Sequence, residues 1–76
     1  MSDSLADVPA GRRVIIDAID GPLRTRLEEL GLAVGVPVDV VQTIALGGPV
    51  ILDRQGFVFA VRRADALAIR VREFAP

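Results

Sequence analysis

The sequence predicts an all-β domain with one short helix: a small, strongly bent antiparallel barrel of about five strands, the helix inserted after the first. Three observations predict it. Five short runs rich in β-branched or alternating apolar residues are separated by Gly and Pro punctuation. One stretch, directly after the first run, carries apolar residues at helical spacing. A parallel α/β sheet would need a helix between most strands, and closing an antiparallel sheet removes exposed edges. The 76 residues allow one domain.

Residues 1–10 read as a polar lead-in, ended by Pro9 and Gly11. Arg12 to Ile19 follows as the first strand, with Val14, Ile16 and Ala18 on one face and Arg13, Ile15 and Asp17 on the other. Asp20-Gly21-Pro22 starts the helix, since Asp or Gly can cap and Pro is tolerated in the first turn. Leu23, Leu27 and Leu30 form its apolar stripe, Arg24 and Glu28 an i, i+4 pair, and Gly31 its end. Gly35 and Pro37 lead into a second strand over Val36 to Thr43. A loop, Ile44 to Pro49, precedes a third strand, Val50 to Asp53. Arg54-Gln55-Gly56 reads as a tight hairpin connection to a fourth strand, Phe57 to Arg62. Arg63 to Leu67 fits a single helical or 3-10 turn, and Ile69 to Arg72 alternates as a fifth strand. The expected core is Leu27, Leu30, Val38, Val40, Leu52, Phe59 and Val61, with Phe57 beside it.

Composition narrows the chemistry. A 51% hydrophobic chain with net charge −1 is not a disordered one. The chain has no His, Cys, Lys, Tyr or Trp. A Ser or Thr nucleophile needs a neighbouring base, usually His or Lys, and neither exists. So small a domain does not enclose a substrate pocket of several hundred Å3, so a non-enzymatic module is expected. No run approaches the roughly 20 apolar residues of a membrane span, and the acidic start lacks the basic region of a secretion signal. The cytoplasm is the expected location.

From Leu23 to Val71 the chain resembles the FeoA family of small SH3-like barrels. The resemblance rests on ordered pieces. These are Leu27-Glu28-Glu29-Leu30-Gly31-Leu32 followed by Gly35, then Ala45-Leu46-Gly47-Gly48-Pro49-Val50, then Gly56 with Phe57-Val58-Phe59-Ala60-Val61-Arg62-Arg63, and last Asp65-Ala66-Leu67-Ala68-Ile69-Arg70-Val71. Gly48 stands where the family usually has Asp, and Val34 where Pro often precedes the Gly. The resemblance implies a cytosolic accessory protein of ferrous-iron uptake that docks on the cytosolic part of a FeoB-type GTPase-linked transporter, touching the membrane only through it.

Several surfaces are candidates. Iron(II) sites typically use His with carboxylates, or Cys thiolates. Here only Asp and Glu are available, and the adjacent Glu28 and Glu29 diverge, so no metal and no cofactor is expected; a weak metal-sensing module is an alternative. Arg62, Arg63, Arg70 and Arg72 raise a second alternative, a nucleic-acid-binding barrel. Such barrels add exposed aromatics, and the chain is slightly acidic, so no nucleic acid is expected. Partner binding is expected at the loop Ile44, Ala45, Leu46, Gly47, Gly48 and Pro49 and at Arg24 and Leu27 of the adjoining helix. The loop's apolar residues serve either as a docking anchor or as a plug on the barrel. Ile51 and Val58, joined by Ile15, are expected to share an outer face as an apolar patch for docking or self-association, unless Leu5 and Val8 fold over it.

Overall fold

The computed structural model describes residues 3–75. Its strands are β1 (Asp3–Ser4), β2 (Arg13–Ile19), β3 (Pro37–Thr43), β4 (Val50–Arg54), β5 (Phe57–Val61) and β6 (Ile69–Glu73). Helix α1 spans Leu23–Glu29, α2 spans Arg63–Leu67, and a 3-10 turn covers Leu5–Asp7. The strands form one antiparallel sheet in the order β1-β6-β2-β3-β4-β5.

Two bulges bend the sheet, as an extra residue on one strand does. On β2, Ile16 pairs Val71 and Ala18 pairs Arg70, so Asp17 is the inserted residue. It reverses the phase of the strand. Val14 and Ile16 are buried as expected, but after the bulge Ile19 takes the inner position and Ala18 does not. On β3 the shift falls between Val40 and Gln42 and leaves Val41 53% exposed.

α1 ends in a Schellman motif. Gly31 N–H donates to the Glu28 carbonyl (2.9 Å) and Leu32 N–H to the Leu27 carbonyl (2.8 Å). Gly31 takes φ +87, and the Arg54 guanidinium lies against it, so a Cβ there would sit 3.2 Å from Arg54 Nη1. The motif buries Leu27 and Leu32 together and turns Leu30 outward. Leu30 is thus not core, and Leu32 occupies the place expected for it. At the other end, Asp20 does not cap the helix; its N–H is bonded to the Ala68 carbonyl (2.9 Å), and Pro22 stands at the cap.

The lead-in is not a tail. Ser4 is the N-cap of the 3-10 turn: its Oγ accepts from Ala6 N–H (3.1 Å) and donates to the Ala66 carbonyl (3.2 Å). Leu5, Ala6 and Val8 are buried in one cluster with Val14, Ile16, Ile19, Leu27, Leu32, Val38, Val40, Val50, Leu52, Val61, Ala66, Ile69 and Val71. Phe59 packs against this cluster half-buried, whereas Phe57 is 68% exposed and is not core. On the outer face Arg13 grips Asp39 through two hydrogen bonds (2.6 and 3.1 Å) and lies 5.5 Å from the Phe74 ring centre, tying β2, β3 and the C-terminal end together.

Candidate functional site

The loop between β3 and β4 is closed by two backbone hydrogen bonds. Ile44 N–H donates to the Pro49 carbonyl (3.2 Å) and Gly48 N–H to the Ala45 carbonyl (3.4 Å). The inner bond defines a turn with Leu46 and Gly47 at its centre, at φ +62 and +79. Two positive φ values in succession are the pattern of a type I′ turn, which favours Asn, Asp and Gly at its first central position. A bulky Leu there is an outlier that costs about 1–2 kcal/mol. Leu46 gains nothing from packing in return, since it is fully exposed. Ile44, beside it, is 43% exposed. The loop is therefore not folded back as a plug.

Gly48 has its own explanation. A Cβ at that position would come within 2.8 Å of Ile44 Cβ and 2.5 Å of Ile44 Cγ2. In this chain the Ile44 side chain fills the space that a side chain at position 48 would need.

The other expected residues lie elsewhere. Arg24 is exposed on α1 and bonded to Glu28 (2.7 Å). Leu27 is 5% exposed; it packs in the core and reaches the surface only as part of the floor of a groove between α1 and β5. The residues around the loop that share its depression come from the N-terminal segment and α2, among them Val8, Pro9 and Arg63, and none comes from α1. Ile51 and Val58 do share the outer face, because Ile51 pairs Ala60 and Asp53 pairs Val58. Val58 is 66% exposed and Ile51 half-buried. Leu5 and Val8 are core residues and do not cover them. The sequence thus pointed to three regions, and the structure keeps them apart.

Electrostatics separate the outer face from the loop. Asp39 is held below the usual carboxylate range, chiefly by its hydrogen bond from Arg13. Three of the arginines that raised the nucleic-acid alternative sit near carboxylates: Arg62 by Asp65 (3.3 Å), Arg70 by Asp20 (4.0 Å) and Arg72 by Asp17 (3.4 Å). Among the described residues no three acidic side chains gather in a way that would hold a metal ion, and no helix is long and apolar enough to cross a membrane.

Sequence reasoning missed the groove between α1 and β5, lined by Leu23, Leu30, Phe59 and Ala60 with Arg26 and Arg62 at its rim. The available signal was the Schellman sequence itself: a helix ending at Glu29 with Gly31 at C′ places Leu32 inside and Leu30 out.

A curled antiparallel sheet with a helix inserted between its first two long strands is the build of a small SH3-like domain. The FeoA domain model matches residues 4–73, and the chain belongs to the FeoA family. The FeoA protein of Chlorobium tepidum is 31% identical, with a TM-score of 0.85 over 96% of this chain and 71% of that one. A crystal structure described as the iron uptake regulatory protein FeoA is 28% identical, with a TM-score of 0.83 over 95% and 96% of the two chains. The zinc complex of Stenotrophomonas maltophilia FeoA, described as a procaryotic SH3 domain protein, shares the fold at 23% identity, with a TM-score of 0.77 over 95% and 89%. No curated protein matches the chain.

Proposed function

We propose that this protein is a non-enzymatic accessory protein of bacterial ferrous-iron uptake. It works in the cytoplasm by binding the cytosolic part of a FeoB-type transporter through the Ile44–Pro49 loop. Membership of the FeoA family supports the iron-uptake role, as do relatives described as an iron uptake regulatory protein and an iron(II) transport protein. The observation that carries the binding mode is Leu46. A fully exposed Leu held at φ +62 destabilises the free protein, and burying it against a partner recovers apolar area. Ile44 and the depression beside Val8 and Pro9 extend the anchor. The absence of His, Cys and Lys leaves no ordinary nucleophile–base pair, which supports a binding role over catalysis.

The test is a pull-down of the transporter's cytosolic part with the wild-type protein and with Leu46→Asn. Asn keeps the turn and removes the apolar side chain. Capture by the wild type and its loss with the folded variant are the expected result. Equal capture by both proteins removes the loop from the interface, and no capture by the wild type overturns the partner assignment.

A further inference from the structure

We infer that the open edge of β5, beside α1, is a second binding site, which takes an extended acidic–apolar peptide segment of another protein as an added β-strand. The sheet has two edges, β1 and β5. β1 is two residues long, and shortness protects an edge. β5 has five residues, Phe57-Val58-Phe59-Ala60-Val61, with no charge, no Pro and no bulge. It lacks the usual devices that block strand addition.

The register defines what the edge offers. The two-residue turn at Gln55–Gly56 makes Arg54 and Phe57 the closing hydrogen-bonded pair, and such pairs recur at every second residue. Phe59 and Val61 therefore face their backbone groups to β4, and Val58 and Ala60 face theirs outward. Ala60 lines the groove of about 450 Å3 whose floor holds Leu27, Leu30 and Phe59. An incoming strand bonds to Val58 and Ala60 and sets alternate apolar side chains on that floor, the mode of peptides that extend a sheet.

Charge selects the occupant. Arg26 stands on the rim with no ion pair among the described residues, while Arg62 shares its charge with Asp65. Leu23, Arg26 and Asp65 also line a second depression that continues the groove towards Asp20 and Ala68. A carboxylate on the peptide meets Arg26. The described residues Asp3–Ser4 and Phe74 lie at the far side of the sheet, β1 on β6 and Phe74 at Arg13. A second copy of β5 brings no carboxylate and is followed by Arg62 and Arg63.

Display of short random peptides against the wild-type protein, Ala60→Pro and Arg26→Ala tests the site. Proline at 60 removes an outward N–H, which an edge strand tolerates. Selected peptides are expected to alternate apolar residues around an Asp or Glu and to shift the amide resonances of Val58 and Ala60. They should bind Arg26→Ala roughly two- to fivefold more weakly and Ala60→Pro not measurably. Thermal melts establish that each variant is folded; if Ala60→Pro is not, Arg26→Ala and the amide shifts decide. Several results overturn the inference: no enrichment, peptides indifferent to both variants, proline-rich peptides that leave Val58 and Ala60 unmoved, or a β5-mediated dimer in place of peptide binding.

Discussion

β4 runs between two turns that each place consecutive residues at positive φ: Leu46–Gly47 before it, and Gln55–Gly56, at φ +53 and +90, after it. The second is supported locally. Its first central residue, Gln55, sits in the same left-handed region as Leu46, but Asp53 Oδ1 accepts the Gly56 N–H at 2.9 Å. The first has a Leu in the costly position, no side-chain hydrogen bond and complete exposure. The backbone pattern is shared, so the difference lies in side chains alone. Asp53 serves the second turn through that bond, whereas Leu46 is an exposed apolar residue held in the left-handed region with no such support.

The largest effect comes from breaking what the turns share. Leu52 is fully buried at the middle of β4, and Leu52→Ala should cost about 2–5 kcal/mol, enough to unfold a domain this small. Chemical denaturation measures it; a midpoint near that of the wild type would remove Leu52 from the core. Next, Val at Gly56 or Gly47 puts a β-branched residue in the left-handed region, at about 1–3 kcal/mol each. Equal losses would mean that both turns are equally constrained, and a negligible loss at Gly47 would mean that the loop relaxes to another conformation.

Two further substitutions should move in opposite directions. Asp53→Ala removes the acceptor of the Gly56 N–H and should cost about 1 kcal/mol. Leu46→Asn should instead stabilise by up to about 1 kcal/mol, a rise of roughly 4–8 °C in Tm. A calorimetric scan in which Leu46→Asn melts below the wild type would show that Leu46 contributes packing after all. The smallest effect is pH-dependent. Because the Asp39 carboxyl titrates lower folded than unfolded, its contribution is present above the ordinary Asp range and is lost as pH falls through its depressed folded value. The pair is exposed, so the loss is slight. Asp39→Asn should flatten that part of the stability–pH curve, and an unchanged slope would assign it to other carboxylates.

By itself the sequence determined what short-range chemistry determines. The helix and the long strands stand within a residue or two of their expected bounds, because alternation, the helical Leu spacing and the residues Gly31 and Gly56 act over a few neighbours. The loop was legible as apolar where a loop is normally polar, although its left-handed Leu was not, since a favourable residue such as Gly or Asn would have been the only local sign. Tertiary structure decided the rest. Ser4, Leu5 and Val8 look like a lead-in until β1 pairs with β6 and α2 supplies the Ala66 carbonyl. Ile19 replaces Ala18 inside because a bulge at Asp17 shifts the pleat by one residue. Phe57 continues the inner-face alternation of Phe59 and Val61 yet stands in solvent at the end of the hairpin. Periodicity specifies which residues share a face; which faces are covered depends on elements distant in the chain, and only the packed fold brings those together.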